Sequence, residues 1–408
     1  MVPGYIGRPL HSDSVMPRLG AFEIFRIFLR LGLTSFGGPI AHLGYFRRLF
    51  VTKLAWLDEA AYADLVGLCQ FLPGPASSQV GFALGASRGG WRGGLAAWAG
   101  FTLPSALLLF LFAVLQAKVQ GPAALAVLHG LKLVAVAVVA QAVWGMAGSL
   151  TPDFKRLVIA AIAAIMVSML AGSFGQIGAI ALGALAGLAF CRGLAFSHPP
   201  EDAMAPPRKT GLVCLAIFFL LLLLLPWLAA LTGDRALAVF SAFYRSGALV
   251  FGGGHVVLPL LREAVVAPGW ISESDFLAGY GAAQAVPGPL FTVAAYLGAM
   301  LKGELNGGAG ALVALIGIFL PGILLVMGSL PFWHGLRARP LPRAALAGVN
   351  AAVVGILAAA LYDPLWKSAV GDWRDVALAA SGFLLLVGAK APPWMVVLGL
   401  TAACLAYP

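Results

Sequence analysis

Charge is scarce in this sequence: 408 residues carry only 16 acids and 26 lysines and arginines, and charged residues make up 10% of the chain. The acids are scattered, and no HExxH, GxSxG or Walker A motif is present, which leaves catalytic chemistry little foothold. Cysteine is equally sparse. Cys69, Cys191, Cys214 and Cys404 form no CxxC and lie mostly in apolar runs, so neither a disulfide framework nor a zinc site is expected, and no metal or cofactor. The first twenty residues have no apolar h-region, so no cleaved secretory signal is expected and the N-terminus is read as cytoplasmic. The sequence also lacks any polar stretch of domain size. Its longest polar interruption, 192–210, is short and rich in proline and charge, and reads as a linker.

Apolar residues fill the space those absences leave. They make up 61% of the chain, and the mean hydropathy is +0.94, a composition that in water would give one aggregation-prone surface. Lipid is therefore the solvent, and runs such as 94–116, 124–147, 211–231 and 308–330 approach the roughly 20 residues a spanning helix needs. The net charge of +10 is spread singly or in pairs between these runs, which argues against a nucleic-acid surface. Six apolar segments occupy the first half (22–40, 61–87, 94–116, 124–147, 157–172, 176–194). One unpaired segment (211–231) follows, then six more (237–258, 275–300, 308–330, 343–362, 374–388, 393–407).

The expected fold is an all-α polytopic membrane protein of about 12–13 transmembrane or re-entrant helices. Its expected organisation is a cytoplasmic segment 1–21, a first repeat 22–194, a cytoplasmic linker 195–210, a connecting helix 211–231 and a second repeat 237–408. The lysine and arginine asymmetry favours an inside N-terminus. Arg47, Arg48 and Lys53 offend that rule, because six spanning segments per half leave them outside; the same count puts Arg262 inside.

The chain states its main motifs twice. Phe36-Gly37-Gly38-Pro39 returns as Phe251-Gly252-Gly253-Gly254, and Pro73-Gly74-Pro75 returns as Pro287-Gly288-Pro289, at spacings of 215 (36 to 251) and 214 (73 to 287). Between residues 25 and 51 the spacing of 215 also matches Phe25, Phe28, Arg30, Gly32, Leu43, Arg47 and Val51 with their later partners. Six segments plus one connecting helix make the second copy enter the membrane from the opposite face. The duplication is inverted, and paired interruptions of this kind mark transport sites in membrane proteins.

Proline and glycine within an apolar segment predict a broken helix. A break exposes N–H groups and the positive end of the next half-helix, an anion site that needs no charged side chain. The alternative is a glycine face for close packing. After Pro75, Ser77, Ser78 and Gln79 offer hydroxyls and an amide at a fresh helix start, and Thr292 aligns with Ser78; neutral donors suit an oxyanion that must bind and then leave. Their alternative is a kink with the hydroxyls bonded to their own backbone.

Arg47 and Arg262, matched across the copies, are candidates for one fixed cation in each vestibule, against snorkelling or a surface pair. His42 and His255 are candidates for donating to an oxyanion or carrying a proton. Asp64 is the clearest acid within an apolar segment and the candidate coupling group. Arg30, Arg245 and Lys132 are further charges at membrane depth, each weighed against snorkelling.

Ser35-Phe36-Gly37-Gly38-Pro39-Ile40-Ala41-His42-Leu43-Gly44, Phe71-Leu72-Pro73-Gly74-Pro75 with Ser77-Ser78-Gln79-Val80, and their second-half partners resemble the chromate ion transporter family in its long two-domain form. The resemblance covers essentially the whole chain. It implies a bacterial inner-membrane protein that exports chromate and confers resistance, with sulfate as the dianion it must distinguish or exchange. The family's motif residues fall on Gly37, Gly38, Pro39, Arg47, Pro73, Gly74, Pro75 and their partners. Gly254 in place of Pro39 and Val257 in place of His42 make the two halves unequal. The expected mechanism is alternating access around a midplane site. A sulfate or other anion carrier, a channel and a membrane-embedded enzyme are the alternatives, and a homodimer stays open.

Overall fold

In this computed structural model the described residues are 18–36, 38–118, 121–170, 173–191, 206–251, 254–333 and 339–406. Among them every regular element is a helix. The first repeat comprises α1 (Ala21–Thr34), α2 (Gly38–Phe46, prolonged by a π turn Arg47–Lys53), α3 (Glu59–Phe71), α4 (Ala76–Gln116), α5 (Pro122–Leu150), α6 (Phe154–Met169) and α7 (Ser173–Phe190). After α8 (Arg208–Thr232) the order returns as α9 (Arg235–Ala248), α10 (Val257–Val265), α11 (Glu273–Ala283), α12 (Val293–Ala299), α13 (Gly307–Ser329), α14 (Pro340–Ala360), α15 (Trp373–Val387) and α16 (Pro393–Ala406). The segment 192–205, which holds most of the expected linker, and residues 1–17 lie outside the described residues.

Among the described residues, five helical stretches are long and apolar enough to cross a membrane: Ala76–Gln116, Pro122–Leu150, Arg208–Thr232, Gly307–Phe332 and Pro340–Ala369. The first of them does not cross as one rod. At Gly89 and Gly90 the backbone leaves the helical region (φ 60°, ψ −154° at Gly90), and α4 folds back on itself. The two halves then touch backbone to backbone, since a Cβ on Gly85 would lie 2.5 Å from the carbonyl oxygen of Gly93. In the second repeat this reversal is a loop, and α12 packs on α13 through Gly298 and Gly310.

Contacts between helices show that α1 and α2 form a hairpin rather than one span. Phe28, midway along α1, stacks on Phe50 at 5.1 Å and meets Phe46 edge-on at 5.9 Å. At the open end of the hairpin the N–H of Leu19 donates to the carbonyl of Arg88 (3.1 Å), and the Arg88 guanidinium lies 5.3 Å over the Trp56 ring. Residues 19, 56 and 88 therefore share one face of the bundle. Their second-repeat counterparts share the other face: Arg235 lies 4.0 Å over Trp270, and the N–H of Lys302 donates to the Trp270 carbonyl (2.9 Å). Between the two faces runs α13, whose 23 residues span about 34 Å at 1.5 Å per residue.

Each repeat thus opens with two re-entrant hairpins, α1/α2 and α3/first half of α4, mirrored by α9/α10 and α11/α12. They enter from one face, turn mid-bundle and leave by the same face. This corrects two expectations. Segments 22–40 and 237–258 are each broken and turned back, so Arg47, Arg48 and Lys53 lie on the face of Arg88 rather than the opposite one. Arg262 lies on the face of Arg235 and Lys302. Turning the two hairpins back removes an even number of crossings from each repeat, so the rest of the charge count is unaffected.

Four of the starts at the faces are capped: Asp58 accepts from Ala61 N–H (2.7 Å), Asp153 from Arg156 (2.9 Å), Asp234 from Leu237 (2.8 Å) and Ser272 from Asp275 (3.1 Å). Starts in the middle follow Pro75, Val256 and Pro289 and have no side-chain cap. Large side chains such as Leu111, Leu223 and Trp227 stand exposed on the outside of the bundle, as expected of a lipid-facing surface.

Candidate functional site

The four mid-bundle turns meet. The N–H of Gly74 donates to the carbonyl of Val250 (2.7 Å), and the N–H of Gly288 donates to the carbonyl of Ser35 (2.9 Å). Gly74 and Gly288 are equivalent across the duplication, as are Ser35 and Val250, so the proline-glycine-proline turn of each repeat is bonded to the helix break of the other. Both glycines hold a left-handed φ, +119° and +102°, that other residues adopt only under strain. On the axis relating the copies Pro39 faces its own counterpart: a Cβ on Gly254 would lie 3.3 Å from Pro39 Cγ. Gly37, Gly252 and Gly253 lie outside the described residues.

The crossing sorts donors from acceptors. Four helices (α1, α3, α9, α11) end here and present carbonyls, while four elements begin here and present N–H groups. The cross-repeat bonds occupy the carbonyls of Ser35 and Val250. In α4 the first ladder bond is Gln79 N–H to Pro75 C=O (3.0 Å), so the N–H groups of Ala76, Ser77 and Ser78 precede the ladder with no side-chain cap. These N–H groups offer an anion hydrogen-bond donors without a formal charge, beside the carbonyl ends of the four helices that stop there.

Polar side chains crowd the same place, and nearly all belong to the first repeat. His42 is 1% exposed; its Nε2 donates to the Ser35 carbonyl (3.2 Å), which leaves Nδ1 to accept from the Ser77 hydroxyl (3.4 Å). Gln79 Nε2 donates to the carbonyls of Pro73 (3.0 Å) and Gly322 (3.1 Å), tying the Pro73–Pro75 turn to α13. The side-chain oxygens of Ser35, Ser78, Gln79 (Oε1) and Thr102 are buried without a protein partner. At the equivalent second-repeat positions stand Val250, Thr292, Val293 and Phe319, and Thr292 already donates to the Pro289 carbonyl (2.7 Å). Ser105 lines the turn at Gly288, where the second repeat places Gly322 against Gly74. His255 pairs with the Tyr280 hydroxyl (2.7 Å).

The charged candidates lie elsewhere. Arg47 is paired with Glu59 (2.5 Å) and Arg262 with Glu273 (2.9 Å), one equivalent ion pair on each face. Sequence reasoning missed both glutamates, although Glu59 and Glu273 recur at the same spacing, one residue after the capping Asp58 and Ser272. Asp64 accepts from the Trp333 indole (3.0 Å), a contact between repeats near one face. Arg30 is exposed. Arg245 lines a cavity of about 360 Å³ with Gln176, Ser246 and Glu263, to the side of the crossing. Lys132 is one turn from His129, which is bound to Asp375 (2.6 Å) near the Arg262 face. Among the described residues no group of three His, Cys, Asp or Glu is placed to hold a metal ion.

Two inverted repeats whose broken helices converge mid-bundle define a membrane transporter architecture. The chain belongs to the chromate transporter family: the family model matches residues 22–188 and 237–406, once for each repeat. It is 28% identical to the chromate transport protein of Pseudomonas aeruginosa over 86% of this chain and 83% of that one. It is 26% identical to the chromate transport protein of Cupriavidus metallidurans over 97% of this chain and 96% of that one. An uncharacterized transporter of Bacillus subtilis is 46% identical over 90 residues, 22% of this chain and 44% of its own. No solved structure matches.

Proposed function

We propose that this chain exports chromate across the bacterial inner membrane by alternating access, and that the ion sits at the crossing of the four helix breaks. One observation carries the reading: uncapped helix starts, bonded turn to break between the repeats, surround buried hydroxyls that have no protein partner. A tetrahedral oxyanion accepts hydrogen bonds from all sides, and an array of backbone N–H groups and hydroxyls holds it without the tight grip of a fixed cation. The Arg47·Glu59 and Arg262·Glu273 pairs guard the two vestibules as near-neutral rims rather than as bare cations.

The inside orientation of the N-terminus rests on the same fold. With the hairpins turned back, Arg47, Arg48, Lys53, Arg88, Arg92, Lys155, Arg156, Arg208 and Lys209 gather on one face, against Lys118, Arg235, Arg262, Lys302 and Lys367 on the other. Moving negative charge outward is downhill in an inside-negative cell. The gain is about 2.3 kcal/mol per 100 mV for each charge the ion carries. Access alternates as the re-entrant hairpins of one repeat rock against those of the other about the Pro39–Gly254 contact.

Labelled chromate uptake into inverted vesicles, with sulfate as competitor, tests the reading. Saturable uptake with counterflow is expected. Uptake equal to that of vesicles lacking the protein refutes it, and uptake linear in concentration without counterflow makes it a channel.

A further inference from the structure

The amide of Gln79 has its orientation fixed by its partners. Its Nε2 faces two carbonyl oxygens, those of Pro73 and Gly322, so the amide cannot be turned over without setting oxygen against oxygen. The orientation leaves Oε1 buried at the tip of α4, in a residue 1% exposed, with no protein donor. The neighbouring orphaned groups, Ser35, Ser78 and Thr102, are hydroxyls that give or take a hydrogen bond as the ligand requires. An amide oxygen only accepts. A fully deprotonated oxyanion also only accepts, and would leave Oε1 unsatisfied or set it against a like partial charge, a standing cost for a buried acceptor.

We propose that the ion bound at the crossing is the monoprotonated form of the tetrahedral oxyanion, whose single O–H donates to Gln79 Oε1 while its other oxygens accept from the hydroxyls and the first N–H groups of α4. The inference rests on the functional reading above and adds the ligand's protonation state. The duplication supports it from the other side: Val293 stands where Gln79 would recur, so one repeat alone supplies the acceptor, and one O–H on the ligand matches it. Sulfate, which holds a proton only in strong acid, is then rejected at neutral pH for want of a donor, whereas chromate takes up its proton near neutrality. One negative charge rather than two crosses with each ion.

Groups of the protein that titrate near Gln79 are few. Facing it from α2 is His42, bound to Ser77 and Ser35. On α3 lie Glu59, Tyr62, Asp64 and Cys69, with Glu59 held by Arg47 and Asp64 by Trp333, and α13 has no ionisable side chain between Gly307 and Trp333. The flanks of α1 hold Glu23, Arg26 and Arg30, α9 holds Tyr244 and Arg245, and the far end of α4's first half holds Arg88.

The test is equilibrium binding of chromate to the purified full-length protein as a function of pH, with sulfate and perchlorate as competitors. Affinity for total chromate is expected to fall tenfold per pH unit above the ion's own protonation midpoint. Neither sulfate nor perchlorate, a monoanion without a proton, should displace it at equal concentration. Chromate affinity that is flat across that range overturns the inference and leaves the functional reading standing. Displacement by either competitor as effective as by chromate itself does the same, because the site would then select charge or a titrating protein group rather than a donor. Absence of chromate binding at every pH removes both.

Discussion

Replacing Gly74 by alanine attacks the crossing at a single atom. Gly74 holds φ +119°, and the added Cβ would lie 3.1 Å from Gln79 Nε2 and 3.2 Å from the Cα of Gly322, a backbone atom that cannot swing away. Left-handed backbone costs a residue with a Cβ about 1–2 kcal/mol. If the turn shifts to relieve the overlap, the Gly74 N–H to Val250 bond weakens, and a typical hydrogen bond contributes about 0.5–1.5 kcal/mol. Together the change disfavours the crossed arrangement by about 2–3 kcal/mol, a factor of roughly 30 to 150. The long helices α5, α8 and α14 are untouched, so the variant should still insert and elute as a folded species in detergent while chromate transport in vesicles falls by one to two orders of magnitude. Gly288→Ala should behave alike, since its Cβ would lie 2.8 Å from Ser105 Oγ and 3.3 Å from the Phe101 carbonyl. Gly233→Ala is the control, with φ +64° but nothing within 4 Å: strain alone, at the end of α8, should lower thermal stability slightly and leave transport intact. Wild-type transport by both Gly74→Ala and Gly288→Ala would refute the reasoning.

Ser78→Ala removes a buried hydroxyl with no protein partner, so thermal stability without ligand should stay level or rise, while chromate affinity measured by titration should drop about 3- to 10-fold, the worth of one hydrogen bond; unchanged affinity would take Ser78 out of the site. Single cysteines in a cysteine-free background test the hairpins: Arg48→Cys and Arg92→Cys should react with an impermeant thiol reagent from one membrane face, and Glu263→Cys and Lys302→Cys from the other, whereas labelling of Arg48→Cys and Arg92→Cys from opposite faces would restore a spanning α1–α2 segment. In double-mutant cycles read by thermal unfolding, the half-buried Arg262·Glu273 pair should show a coupling that the exposed Arg47·Glu59 pair lacks, because exposed ion pairs are screened by water and salt; equal coupling would contradict that difference in burial.

The duplication was legible in the sequence because glycine and proline at fixed spacing report backbone geometry directly, and the helix breaks at Ser35, Leu72 and Val250 fall where those residues predict them. What the sequence did not reveal was direction. A broken apolar segment continues or turns back according to the contacts its second half makes, here Phe28 with Phe50 and Arg88 with Trp56, and hydropathy is blind to such contacts. The misplaced charge of Arg47, Arg48 and Lys53 was the trace of that turn. The polar residues after Pro75 stood out as a candidate site, but Ser35 and Thr102 did not, because a lone hydroxyl in an apolar helix usually bonds its own backbone. Arg47 and Arg262 drew attention as unpaired cations because their partners lie 12 and 11 residues along the chain, across a turn that only the fold closes.

The meeting of the two repeats at their breaks is tested most directly by oxidising a Pro39→Cys, Gly254→Cys double variant in native membranes, with a protease site inserted between residues 192 and 205. A Cβ on Gly254 would lie 3.3 Å from Pro39 Cγ, which brings the two positions to about the range of 3.5–4.5 Å between the Cβ atoms of a disulfide. The expected result is a disulfide that keeps the halves together after cleavage until it is reduced. Halves that separate fully after oxidation and cleavage would mean that the breaks do not meet.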